Sequence, residues 1–459
     1  MQAALDYAAR NQSRFLDELF EYLRIPSVSS APEHRPDMQR CAEWLRDALL
    51  KAGADRAEIH PTAGHPIVYG EKRISDTAPT VLVYGHYDVM PVDPLDEWHT
   101  SPFEPEIRDG KIWCRGADDD KGQGFMHLKA FESMHATGTL PCNVKFMFEG
   151  EEEIGSSSLT AWCATHKEQL RADVILVSDT SLLGPDTPSI TCGLRGLTYL
   201  EVEASGPSRD LHSGLYGGTV VNPANALCKL LGTLTDDTTG RITVPGLYDD
   251  LREFSPAERA DINSAPFDDR RFASSIGLDT THGESGYTTL ERRGIRPSLD
   301  ICGLWSGYTG PGAKTIIPAT AHAKVSMRLA AGQDPERAAS LLTAHIEQLV
   351  PRYGIRVKCT PLHGGYPYAA STDSAAYLAA AKAMEDTFGK RPVPFYSGGS
   401  IPIISTFQRV LGIQSILMGF GLDTDAIHSP NENFPLENFR RGIATFPLFY
   451  HYFAESLSK

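Results

Sequence analysis

The stretch Thr80-Val81-Leu82-Val83-Tyr84-Gly85-His86-Tyr87-Asp88 decides the fold. Five apolar or β-branched residues run together, and the chain then turns through Gly85 into a histidine and an aspartate. A short run of this kind, without polar alternation, reads as a strand buried on both faces. Related runs recur at 144–148 (VKFMF), 174–177 (VILV) and 415–418 (SILM). Between them lie stretches with helical spacing: 37–51, stopping near Gly53, then 123–135, and 374–388, closed by Gly389. Glycine just past the last periodic residue is a natural helix terminator. Buried strands alternating with helices predict an α/β domain with a mostly parallel sheet covered by helices.

The middle of the chain reads differently. Residues 198–204 (TYLEVEA) and 324–329 (KVSMRL) alternate with period two, the mark of a half-exposed sheet. Residues 224–234 and 335–350 have the spacing of amphipathic helices. Two strands and two helices predict a smaller α+β domain inserted into the first. The expected division is a catalytic α/β domain over 1–195 and 363–459, with the insert over 196–362. Residues 237–300, rich in Asp, Gly, Pro and Ser, read as long connections.

Composition narrows the class. The 459 residues are 41% hydrophobic and 22% charged, enough for large cores and unlike a disordered or fibrous chain. The 43 Lys+Arg against 58 Asp+Glu leave a net charge of −15, a poor match to nucleic acid. No apolar run reaches the ~18–20 residues that span a bilayer. The first twenty or so residues hold no signal-peptide core, and the terminal SLSK is no prenylation box. The eight cysteines are scattered with no CxxC pair, so reduced thiols in a cytoplasmic protein are expected.

The chemistry gathers at strand ends. The four buried runs lead into His86 and Asp88, into Glu151-Glu152-Glu153, into Asp179, and toward His428. Open α/β sheets bind ligands beyond the carboxyl ends of their strands, where residues distant in sequence converge. A further acidic cluster is Asp118-Asp119-Asp120, just before Lys121-Gly122. Imidazole and carboxylate donors together suit zinc, manganese or cobalt, whereas calcium prefers oxygen alone. Crowded carboxylates repel unless a cation neutralises them. Each piece alone also reads as an ordinary surface pair, solvated loop or acidic helix start.

Taken in order, GHYDVMPV, GADDDKG, EGEEEIGS, the strand-end Asp179, SRDLHSG and AIHSPNE resemble the M20 family of dinuclear metallopeptidases. The likeness is strongest to its dipeptidase branch, which includes carnosinases and cytosolic nonspecific dipeptidases, and it runs over roughly residues 10–455. The resemblance implies metal-ligand roles for His86, Asp119, Glu153, Asp179 and His428, with Asp119 bridging two ions and followed by a cis peptide. It implies that Asp88 supports His86 and that Glu152 is the general base. The triple Glu leaves a second register open, in which Glu151 and Glu152 take the two roles. His212 matches a residue that reaches the other subunit's active site to steady the oxyanion. Arg328 matches the residue that binds the substrate carboxylate, and His363 and Ser400 fall at substrate-pocket positions. One departure is Ser397, where many relatives carry Glu.

The function implied is hydrolysis of the amide bond in dipeptides or small peptides with a free C-terminal carboxylate. Two divalent ions per subunit, Zn²⁺ first and Mn²⁺ or Co²⁺ next, would assist. An N-acyl-amino-acid deacylase or amidohydrolase of the same family is the alternative. The implied partners are a small peptide and a second copy of the chain, with the insert as lid and dimer interface. No nucleic acid or membrane partner is expected.

Overall fold

The computed structural model describes residues 1–399 and 401–458. The chain forms two compact units, one of residues 1–192, 370–394 and 406–459 and one of residues 193–369 and 395–405.

The first unit opens with helices α1 (Gln2–Arg10), α2 (Gln12–Leu23) and α3 (Arg35–Ala52). Gly53 ends α3 at φ +112°, a left-handed cap that only glycine adopts without strain. Strands β1 (Arg56–His60), β2 (Ile67–Lys72) and β3 (Thr80–His86) follow. Next come helix α4 (Lys121–Ala136) and strands β4 (Asn143–Glu149), β5 (Val174–Val177) and β6 (Ser189–Leu194). Helix α4 is buried from Lys121 to Met134 because it is enclosed by α1, α2, β3 and the unit's C-terminal helix. This explains why it lacks a clear polar face.

The chain then enters the second unit. Strands β7 (Gly196–Ser205), β8 (Ser298–Ser306), β9 (Thr320–Leu329) and β10 (Arg356–Gly365) form an antiparallel sheet in the order β8-β9-β7-β10. Helices α5 (Pro223–Gly232) and α6 (Pro335–Leu349) cover one face. Leu200, Val202, Val325 and Met327 point into that core with Leu227, Leu230, Leu342 and Ile346. Each such fully buried side chain contributes about 1.5–3 kcal/mol by leaving water.

Two expectations need correction here. Residues 237–300 are not mere connections: they hold helices Pro256–Ile262, Asp269–Ser275 and Thr289–Gly294, and the start of β8. Ser255 with Glu258 and Thr288 with Glu291 form capping boxes, in which each side chain satisfies the other residue's backbone amide. The sheet also has two more strands than the alternation revealed. Both lie at its edges and are largely exposed, so their pattern of burial is weak. Because β10 pairs with β7 out to Gly365, this unit runs past residue 362 and contains His363.

The chain returns to the first unit with helix α7 (Ala375–Phe388), strand β11 (Ser415–Leu417) and helix α8 (Leu436–Leu457). Ser374 caps α7 by accepting from the Tyr377 amide, and Gly389 at φ +69° ends it. The first unit's sheet runs β1-β2-β4-β3-β5-β11-β6. Its central strands β4, β3, β5 and β11 are parallel, so their carboxyl ends lie on one edge. Among the described residues no helix is long and apolar enough to cross a membrane.

Candidate metal centre

Strand β3 ends on His86, which is buried. Glu151–Glu153 follow β4 after Gly150, Asp179 follows β5 after Ser178, and the chain beyond β11 leads to His428. Parallel pairing brings these ends together, and the loop before α4 adds Asp119.

Asp119 is the meeting point. Its Oδ1 lies 3.0 Å from His86 Nε2, and its Oδ2 lies 2.9 Å from His428 Nε2. His428 Nε2 is also 3.2 Å from Glu153 Oε2. Donor atoms of His86, Asp119 and Asp179 lie within 4.8 Å of one another, and so do those of Asp119, Glu153 and His428. Two ligand groups therefore share one carboxylate. The Asp119–Asp120 peptide is cis.

The tautomer of His86 follows from its neighbours. Nδ1 lies 3.0 Å from the main-chain oxygen of Asp88, and a carbonyl only accepts, so Nδ1 carries the proton. Nε2 then faces a carboxylate oxygen, so a positive charge must stand between them, either a proton on Nε2 or a metal ion in its place. The charge balance says the same. Burial raises the carboxyls of Glu152, Glu153 and Asp179 above the usual range, and the nearby Asp119 carboxylate adds to each rise. Burial alone would lower the His86 imidazolium, but Asp119, Asp88 and Asp179 outweigh it and hold it well above its ordinary value. Hydrogen bonds to Asp119 and Glu153 raise His428 to about 10. The cluster holds more negative charge than it can solvate. Its mixed nitrogen and oxygen donors suit zinc, manganese or cobalt.

Asp88 organises the neighbourhood. Its carboxylate accepts the backbone amides of Glu152, at 3.2 Å, and Glu153, at 3.1 Å, besides lying 3.4 Å from His86 Nδ1. Glu151 turns away instead, accepting from the amides of His65 at 3.3 Å and Ser158 at 3.0 Å. It is therefore Glu153 whose carboxylate joins Asp119 and His428.

The substrate-pocket positions lie elsewhere in the chain. His212, Arg328 and His363 belong to the second unit. His212 is exposed and accepts the Gly214 amide at 3.0 Å through Nδ1. Arg328 is half-buried on β9, opposite Ser298 of β8. His363 stacks on Tyr199, ring centroids 5.2 Å apart. Ser400 lies outside the described residues.

One residue escaped the sequence reading. Glu432, fully buried, accepts from Arg115 at 2.8 Å and from the amides of Gly116, Asp118 and Asp119 at 2.9, 3.0 and 3.1 Å. It thus ties the Asp119 loop to the loop carrying His428. The available signal was the Glu of AIHSPNE, four residues after His428.

Comparison with known proteins agrees with this architecture. The model of peptidase family M20/M25/M40 matches residues 82–451. The Cys-Gly metallodipeptidase dug1 of Schizosaccharomyces pombe is 32% identical over 457 residues, 96% of each chain. The human Beta-Ala-His dipeptidase is 30% identical over 467 residues, covering 98% of this chain and 92% of that one. Among solved structures, an M20 family metallo-carboxypeptidase from Sulfolobus solfataricus superposes with a TM-score of 0.81 at 32% identity, over 96% of this chain and 99% of the other. Human carnosine dipeptidase 1 gives a TM-score of 0.75 at 30% identity, over 99% and 98%. The match spans the residues from β3 to α8 that carry the strand-end donors, and this chain is a member of peptidase family M20/M25/M40.

Proposed function

We propose that this protein is a metal-dependent dipeptidase acting on short peptides with a free C-terminal carboxylate. The observation that carries this reading is the convergence of two imidazole nitrogens on the two oxygens of Asp119. The names of its relatives, metallodipeptidases and a Beta-Ala-His dipeptidase, point the same way. His86, Asp119 and Asp179 would hold one divalent ion, and Asp119, Glu153 and His428 a second. Zinc is the first choice, with manganese or cobalt next.

Bound metal would supply Lewis acidity for the scissile carbonyl and lower the pKa of an attacking water toward neutrality. Glu152 takes the proton of that water and delivers one to the departing amine. Asp88 keeps the Glu152–Glu153 backbone in place and His86 in its Nδ1–H tautomer. Arg328 grips the substrate carboxylate with its planar fork of donors. His363 lines the pocket, and His212 steadies the oxyanion in the site of a second copy. A homodimer through the second unit fits the exposed apolar residues Ile301, Leu304 and Trp305 on edge strand β8, since such an edge favours pairing. A cytoplasmic location fits the eight cysteines, none of them joined in a disulfide.

The test is metal analysis together with turnover of simple dipeptides. Chelation should abolish hydrolysis and added zinc, manganese or cobalt should restore it. Glu152→Ala should keep the metal and lose nearly all turnover. Near-normal turnover in Glu152→Ala would remove the base assignment, and full activity in metal-free protein would remove the whole reading.

A further inference from the structure

The second unit contains a cavity of about 490 Å³ in whose lining the cationic side chains outnumber the anionic ones. Four arginines face it, Arg195, Arg292, Arg293 and Arg296, against the carboxylates of Glu284 and Asp300. In a chain of net charge −15, this local reversal of sign needs a cause.

Internal pairing accounts for part of it. Arg296 holds Glu284 with two hydrogen bonds, at 2.8 and 2.7 Å. That carboxylate also lies 3.5 Å from Arg241, so it is used up. Arg292 donates to the Glu284 carbonyl at 2.9 Å and has no carboxylate at ion-pair distance among the described residues. Arg293, exposed, sits with its guanidinium 5.3 Å from the Phe272 ring centroid, likewise without a carboxylate among the described residues. Asp300 offsets one charge and stands beside Ser298, at 3.4 Å.

The cluster runs toward Arg328. Ser298, on the cavity wall, is the cross-strand partner of Arg328 and accepts from Arg195 at 3.3 Å. Arg195 senses its cationic neighbours: burial pushes its guanidinium down to about 10, with Arg328 and Arg293 adding to the fall and Asp300 opposing it. Like charges gathered with partial loss of water repel one another, and an arriving anion relieves that repulsion. Planar guanidinium groups match a carboxylate in particular.

We infer that this cavity is a subsite for a second carboxylate of the substrate, and that the enzyme prefers dipeptides whose C-terminal residue is Asp or Glu. The inference rests on the dipeptidase reading and on Arg328 as the grip for the main-chain carboxylate. The side chain of a C-terminal residue branches from the carbon next to that carboxylate. An acidic side chain therefore extends from Arg328 toward Arg195 and Arg293, while an uncharged one gains nothing there.

The test compares kcat/KM for Ala-Glu and Ala-Gln, which are nearly isosteric and differ in charge. Low ionic strength keeps the exposed Arg293 from being screened. The metal-loaded enzyme should favour Ala-Glu by about tenfold or more, the scale of one charge-assisted hydrogen bond. Arg293→Gln with Arg292→Gln should shrink that ratio to about threefold or less, and Arg293→Lys should recover part of it by restoring charge. Equal rates for the two peptides, or a preference that survives the double substitution, overturn the subsite. If Ala-Gln is cleaved without selectivity, the subsite alone fails. If no dipeptide is cleaved, the dipeptidase reading fails and the subsite falls with it.

Discussion

Glu432→Gln is a revealing perturbation because it changes charge with almost no change in shape. In the native protein one buried carboxylate accepts from the Arg115 guanidinium and from three backbone amides, all within 2.8–3.1 Å. A carboxylate suits this because both its oxygens only accept. Glutamine keeps one accepting oxygen and presents an NH₂ on the other side. Turned one way, the NH₂ faces Arg115 and the Gly116 amide; turned the other way, it faces the Asp118 and Asp119 amides. Either choice sets donors against donors. Breaking a buried ion pair by neutralising one partner costs about 3–5 kcal/mol, because the other charge stays buried and unpaired. Each orphaned amide adds about 1–3 kcal/mol, less what relaxation recovers. A loss of about 4 kcal/mol lowers Tm by roughly 10 °C in a body of this size. The Asp119 loop should also lose definition, and supporting contacts of this kind are worth about 10–100-fold in metal affinity. The assays are thermal unfolding of the metal-free protein and zinc titration against a competing chelator. Arg115→Met leaves the three amides satisfied, so it should weaken zinc binding less than Glu432→Gln. If Glu432→Gln unfolds within about 2 °C of the parent and binds zinc equally well, the clamp is ornamental and this reasoning is wrong.

Other consequences can be checked separately. Asp119→Asn should empty both proposed metal positions, whereas His428→Ala should leave one ion bound per chain, as counted by elemental analysis; one ion retained in Asp119→Asn would refute the shared ligand. Burial would raise the Glu18 carboxyl, but hydrogen bonds from Lys129, Lys51 and Arg14 win and bring it to about 2 from an ordinary 4.5. Its stabilisation is thus complete above about pH 5 and is lost as pH falls through about 2, worth about 1–2 kcal/mol after solvent screening. Glu18→Gln should be less stable than the parent at pH 6, with the gap closing toward pH 2.5 in denaturant titrations; a constant gap would refute it. Gly122→Ala would put a methyl group 1.8 Å from the Ala117 carbonyl oxygen, so the Asp118–Asp120 loop must shift. Turnover should drop at least ~100-fold, the cost of misplacing a reacting group by about 1 Å, and a fully active variant would show the loop to be tolerant. The proposed dimer should sediment at twice the chain mass, and a monomer with full activity would remove the role given to His212.

What could be read from residues in order was whatever local burial imprints on them. The runs 80–84 and 174–177 are unbroken because both faces of β3 and β5 are covered, and Gly53 and Gly389 stop helices through their own backbone freedom. Donors placed directly after such runs mark strand ends, which is why His86 and Asp179 stood out, and the order of motifs then carried the family. The tertiary structure alone decided what depends on groups meeting across long separations. The choice of Glu153 among three adjacent glutamates, already favoured by the resemblance, gains its physical reason only here: the Asp88 carboxylate accepts the amides of Glu152 and Glu153, while Glu151 is drawn to those of His65 and Ser158. Strands β8 and β10 left only a faint pattern because a sheet edge exposes most of its residues. The clamp of Glu432 left only the last letter of AIHSPNE as a trace, and the arginine-lined cavity left no pattern. A backbone amide carries no sequence signature, and charges far apart in the chain become neighbours only when the topology of the fold brings them together.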